Sequence, residues 1–150
     1  MISLLKTDAS NPDFIQLVKE LDTFLSITDG EDHAFYDQYN KLTAIKNVVI
    51  AYHNKQPIGC GAIKEYNATT MEVKRMYTKP LSRGKGVASE ILITLEIWAK
   101  SLNYKYCILE TGVRQVEAIS LYLKNGYTQI DNYGPYINIE DSVCFEKKLQ

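Results

Sequence analysis

The chain has 150 residues, 45% of them hydrophobic, the length and composition of one domain with one sizeable core. Its 17 basic and 18 acidic side chains leave a formal charge of -1, so there is no broad positive field for a nucleic-acid partner. No basic leader precedes an apolar stretch, no run has the apolar length of a membrane span, and Cys60, Cys107 and Cys144 stand far apart in apolar runs, as buried free thiols would. The expectation is a cytoplasmic protein with no membrane insertion, disulfide or metal site.

Residues 1–5 read as a short strand, and Asn11-Pro12 supplies a helix cap with proline in the first turn. Phe14, Leu17, Val18, Leu21 and Leu25 then recur at three- and four-residue steps, a helix face that can pack on a sheet. Residues 28–40 carry Asp29-Gly30, His33 and several aromatics, and read as a short second helix between loops. From Asn47 the period becomes two: strands over 47–52, 58–64 and 70–78, with turns at Asn54-Lys55-Gln56 and Asn67-Ala68, predict an antiparallel meander. After Pro80 a helical stripe runs through Val87, Ile91, Leu95, Trp98 and Leu102. A strand over 106–109, a helix over 115–124 stopped by Asn125-Gly126, and strands over 127–130 and 142–149 follow. With no repeat or linker, the order β-α-α-β-β-β-α-β-α-β-β predicts one mixed α/β domain over residues 1–150.

The most informative stretch is Arg83-Gly84-Lys85-Gly86-Val87-Ala88. Glycines permit close approach of the main chain, and a helix opening here aims unpaired N–H groups and its positive end at an anion. A P-loop is excluded because Gly86, not Ser or Thr, follows Lys85. A dinucleotide fingerprint fits poorly, since Ser89 replaces the last glycine and antiparallel strands precede the motif.

Arg83-x-x-Gly86-x-Ala88 resembles the Arg/Gln-x-x-Gly-x-Gly/Ala motif of the GNAT superfamily of acyl-CoA-dependent N-acetyltransferases. The segment Glu72-Val73-Lys74-Arg75-Met76-Tyr77-Thr78-x-Pro80 resembles the strand before that motif. Leu109-Glu110-Thr111-Gly112 and Gln115-x-x-Ala118-Ile119-x-Leu121-Tyr122-x-Lys124-x-Gly126-Tyr127 continue the likeness. Tyr133-Gly134-Pro135-Tyr136 and Ser142-x-Cys144-x-Glu146-Lys147 resemble a bacterial small-molecule subgroup. The resemblance implies an α/β (α+β) fold: a mixed, mostly antiparallel central sheet with two splayed parallel strands and helices on both faces.

It also implies an acetyl-CoA donor and no metal. Main-chain N–H groups of Arg83, Gly84, Lys85, Gly86, Val87 and Ala88 would hold the pyrophosphate, with charge from Arg83 and Lys85. The pantetheine arm would run along the backbone of Met76, Tyr77 and Thr78, with Gln115 at a further contact. Glu72 is the candidate general base, with Glu65 and Glu110 as alternatives, and an ordinary ion pair is the competing reading of Glu72. Strand alternation sets Glu72 and Lys74 on one face and Arg75 on the other unless a bulge intervenes. Tyr122 is the implied general acid for the leaving thiolate.

The acceptor, a small-molecule primary amine, is expected among Asp32, Tyr36, Tyr39, Glu65, Arg75, Tyr133 and Tyr136, since acids and aromatics suit a cation. Arg75 reads equally as a carboxylate holder and as a partner of Glu65 or Glu72. Two other functions stay open: a non-catalytic acyl-CoA-binding module and an acetyltransferase acting on a protein amine. A homodimer also stays open.

Overall fold

The computed structural model describes residues 2–29 and 45–150. Asn11 caps the first helix, its Oδ1 accepting the Asp13 N–H at 2.9 Å, and helix α1 (Pro12–Asp29) follows. The second helix expected over 28–40 lies, beyond Asp29, outside the described residues. Strand β1 (Ile2–Thr7) precedes α1, and β2 (Asn47–His53), β3 (Gln56–Asn67) and β4 (Thr70–Thr78) form the expected meander. The first hairpin turns on Asn54 and Lys55, at φ 51° and 67°, the left-handed pair of a two-residue loop whose twist suits the flanking strands. Helix α2 (Val87–Ser101), strand β5 (Tyr106–Gly112), helix α3 (Val116–Lys124), and strands β6 (Thr128–Ile130) and β7 (Ser142–Lys148) complete the order.

The seven strands lie in the order β1-β2-β3-β4-β5-β7-β6. Among the described residues only β4 and β5 pair in parallel, over Thr70–Glu72 against Tyr106–Ile108. Past Glu72 the two part, while β5 stays paired with β7 as far as Gly112. That antiparallel support is why β5 extends beyond the expected 106–109.

Helices cover both faces. On one, Phe14, Leu17, Val18 and Leu21 of α1 are buried with Val48, Ile50, Cys60, Ala62 and Tyr77. On the other, Val87, Ile91, Leu92, Leu95 and Ala99 of α2 are buried with Val49, Ala51, Ile63, Met71 and Val73, and Tyr122 of α3 joins Leu109 and Phe145. The apolar periodicity of each helix is thus spent on the sheet. All three cysteines are buried free thiols.

One irregularity places the site. Cys60 pairs with Tyr77 and Ala62 with Lys74, so two residues of β4, Arg75 and Met76, face the single Gly61. Arg75 takes φ 59°, the left-handed conformation that a bulge demands. Simple alternation puts Arg75 on the α2 face; the bulge turns it to the α1 face, where Glu72 and Lys74 already stand. Met76 takes its place against the α2 core.

Candidate active site

Where β4 and β5 part, a cleft of about 890 Å³ opens. Its walls are Leu21, Phe24 and Leu25 of α1, residues 72–78 of β4, the glycine turn, Glu110, Thr111 and Gly112 of β5, the inner side of α3, and Tyr136. Among the described residues this cleft brings together most of the sequence-predicted site: Glu72, Arg75, Met76, Tyr77, Thr78, Arg83, Gly84, Gly86, Val87, Ala88, Gln115, Tyr122 and Tyr136 all line it.

Gly84 and Gly86 have φ 78° and 82°, and Gly86 is the N-cap of α2. At this end the helix presents its first N–H groups and positive pole to the cleft. Lys85, by contrast, is exposed and outside the lining. Arg83 is committed within the protein: its Nε donates to the Thr78 carbonyl at 2.9 Å, and its guanidinium lies 5.1 Å from the Phe24 ring centre and 5.9 Å from that of Tyr77. It fastens the glycine turn to the end of β4, with Glu117 of α3 at 4.0 Å.

Glu72 is nearly enclosed, its side chain 12% exposed. The Tyr133 hydroxyl donates to its Oε2 at 2.6 Å, and the Lys74 ammonium stands 3.5 Å from its Oε1. Burial first, and then the Glu72 charge, push the Tyr133 phenol well above its ordinary value, so the proton of that hydrogen bond stays on tyrosine. Burial pulls the Lys74 ammonium below its usual value, and Glu72 pulls it back. Tyr133 also meets Tyr66 and Tyr136 edge-on, with ring centres 5.2 and 5.7 Å away. Asn132 Nδ2 holds the turn beneath these rings by donating to the Tyr136, Ile139 and Ser142 carbonyls at 3.1, 3.2 and 3.1 Å.

Across the cleft Tyr122 is buried at 6% exposure, and burial, followed by the Glu110 charge, raises its phenol so that it is protonated near neutral pH. Glu110 accepts from Ser142 Oγ at 2.7 Å. Arg75 Nη1 meets Asp22 Oδ1 at 2.9 Å. Its partner is therefore on α1, and neither Glu65 nor Glu72 fills that place. Glu65 lies outside the cleft and accepts a hydrogen bond from the Tyr104 hydroxyl. Tyr133 reaches the site through Glu72, and Asp32, Tyr36 and Tyr39 lie outside the described residues.

Asp22, which pairs with Arg75, and the cleft-lining Phe24 have no counterpart in the sequence analysis. Asp22 and Phe24 flank the expected apolar stripe of α1 and carry no motif, so only the packing of α1 on β4 reveals them. Among the described residues no group of three or more His, Cys, Asp or Glu could hold a metal ion, and no helix is long and apolar enough to cross a membrane.

The acetyltransferase (GNAT) family model matches residues 13–127. An IAA acetyltransferase of Azospirillum brasilense is 31% identical over 137 residues, 90% of either chain. The fold superposes on a proposed acyl-CoA N-acyltransferase of Klebsiella pneumoniae with TM-score 0.84 and 28% identity, covering 100% of this chain and 99% of that one. A GNAT acetyltransferase of Elizabethkingia anophelis, solved with acetyl-CoA bound, gives TM-score 0.73 at 22% identity over 99% of this chain and 98% of its own. With the glycine turn at the mouth of a cleft between splayed strands, and with a family match across most of its length, the chain belongs to the acetyltransferase (GNAT) family.

Proposed function

We propose that the chain moves an acetyl group from acetyl-CoA to a primary amine of a small molecule by direct attack, with Glu72 as general base and Tyr122 as general acid. The observation that carries this reading is that Glu72 and Tyr122 line one cleft, at the point where β4 and β5 separate. The residues present fit the donor: a helix N-terminus entered through two left-handed glycines suits a pyrophosphate, and the β4 backbone beyond Glu72 is released from β5.

The chemistry follows from the proton inventory. Glu72 takes a proton from the entering ammonium, directly or through water, leaving a nucleophilic nitrogen. That nitrogen bonds to the thioester carbonyl carbon, the carbon–sulfur bond breaks, the Tyr122 phenol supplies a proton to the thiolate, and the second proton shed by the new amide nitrogen returns through water to the phenolate. No acyl-enzyme is required, in keeping with the burial of all three thiols, of which burial pushes Cys60 and Cys107 up to about 12.

Thiol release from acetyl-CoA, followed over a library of amines, tests the reading. Glu72→Gln is expected to lower turnover near neutral pH by about 100-fold or more with acetyl-CoA affinity almost unchanged, and Tyr122→Phe to slow thiol release. A wild-type pH–rate profile in Glu72→Gln would sink the base assignment, and binding of acetyl-CoA without transfer to any amine would sink the activity.

A further inference from the structure

Resting on that reading, we infer that the acceptor is an amino-acid-like zwitterion, a primary amine with a carboxylate one or two carbons away, and that Lys74 and Arg75 receive the carboxylate. The bulge in β4 is the starting observation. By turning Arg75 onto the α1 face, it sets two consecutive cations on the same side of the cleft, each only 8% exposed. A left-handed, non-glycine residue costs conformational energy and persists where the surroundings hold it in place. Here its result is two neighbouring ion pairs in the cleft wall, Lys74 with Glu72 and Arg75 with Asp22.

Neither cation is saturated by its ion pair. Arg75 spends Nη1 on Asp22, and its Nε is shut off from solvent with no hydrogen-bond partner, so a carboxylate entering from the cleft would meet the Nη edge of the guanidinium. A guanidinium offers five N–H donors in a planar fork that matches a carboxylate. Lys74 Nζ stands 3.5 Å from Glu72, longer than the roughly 2.7–2.9 Å of a charge-assisted bond. That pair engages at most one of its three N–H groups. The strong contact of Glu72 is instead with Tyr133 at 2.6 Å.

The pattern of sign matches a zwitterion better than a plain cation. Glu72, with Glu110 across the cleft, provides a place for the ammonium, and Lys74 and Arg75 lie next to it. An ammonium and a carboxylate carbon are about 2.5 Å apart on the same carbon and up to about 4 Å apart on neighbouring carbons by ordinary bond geometry. The 3.5 Å between the Glu72 and Lys74 charges falls within that span. A plain amine drawn to Glu72 would compete with Lys74 for that carboxylate and bring no anion of its own to the displaced ammonium.

The test compares matched acceptors with acetyl-CoA as donor: phenylalanine against phenethylamine, leucine against isopentylamine, and β-alanine against taurine. The acid is expected to exceed the plain amine in kcat/KM by about 10- to 100-fold, chiefly through KM, and β-alanine to exceed taurine. In Lys74→Met, shown to be folded by circular dichroism, the acid-to-amine ratio should fall towards one. Equal kcat/KM for acid and amine in the wild-type protein overturns the inference. So does an unchanged ratio in Lys74→Met, and a preference for taurine overturns the carboxylate assignment. Transfer to plain amines alone leaves the acetyltransferase reading standing while removing this one. No transfer to any amine removes both.

Discussion

Gly61→Ala probes the bulge directly. A Cβ built at Gly61 would lie 2.4 Å from Met76 Sδ, 2.9 Å from Ile91 Cγ2 and 3.0 Å from Leu95 Cδ1. Ordinary contact begins near 3.4 Å, so the wall must open by about 1 Å on the Met76 side and by several tenths of an ångström towards α2. The thioether can rotate away, but the two α2 side chains close off the other directions. Overpacking of this kind costs about 1–3 kcal/mol. At about 2–4 °C per kcal/mol for a domain of this size, Tm should fall by roughly 2–12 °C. Met76→Ala alone leaves a void and also destabilises, yet in the double variant the new methyl occupies space the thioether has vacated. Urea unfolding of the four proteins in a double-mutant cycle should therefore show a positive rescue of about 1 kcal/mol or more. Strictly additive losses would refute the account of Gly61 as the space that admits the bulged Met76.

Gly86 has φ 82° and a Cβ there would meet nothing within 4 Å, so Gly86→Ala carries only a backbone penalty of about 1–2 kcal/mol. Calorimetry should show acetyl-CoA affinity falling about tenfold, with Gly86→Asn impaired less because asparagine visits this conformation more readily. Glu96 of α2, 9% exposed in its side chain, holds Lys147 of β7 at 2.8 Å. Lys147→Met should cost about 2–3 kcal/mol in urea unfolding by stranding a buried carboxylate, whereas Glu96→Leu combined with Lys147→Met should return to near wild-type stability. The Tyr52 hydroxyl donates to Asp13 Oδ2 at 2.7 Å, and burial, then that carboxylate, pushes the phenol from 10.0 up to about 12. Its contribution is complete below pH 10 and is lost as pH rises towards 12, since the unfolded chain releases the proton first. Tyr52→Phe should flatten the stability profile across that alkaline window.

Much of this arrangement was legible in the sequence because local rules and tertiary packing agree there. The Asn11 cap, the α2 stripe from Val87 to Leu95 and the glycine turn each rest on a short-range pattern that the fold keeps. The sequence signal for β5 stops short because Glu110 and Gly112 are poor strand formers, held here by pairing with Cys144 and Ser142. The face of Arg75 depends on whether a bulge interrupts the strand, which local pattern does not decide. Period-two alternation assigns it to the α2 side, and the bulge depends on Gly61, fourteen residues away on another strand. For the same reason the partner of Arg75 was sought on β3 and β4, while Asp22 on α1 provides it.

The three-residue parallel contact between β4 and β5 bears on how the molecule comes apart as well as on where its cleft opens. On one side stand α1 and the meander β1 to β4, whose contacts are mostly local in sequence; on the other, β5 to β7 with α3. Backbone pairing across this seam is sparse, so opening there requires breaking far fewer hydrogen bonds than opening between β1 and β2, β2 and β3, β3 and β4, or β5 and β7. The seam is the natural boundary between two cooperative units, bridged by α2 on one face. A molecule lodged in the cleft touches both units at once, so it acts as a crosslink between them. Native-state exchange should slow on both sides of the seam together when the cleft is filled.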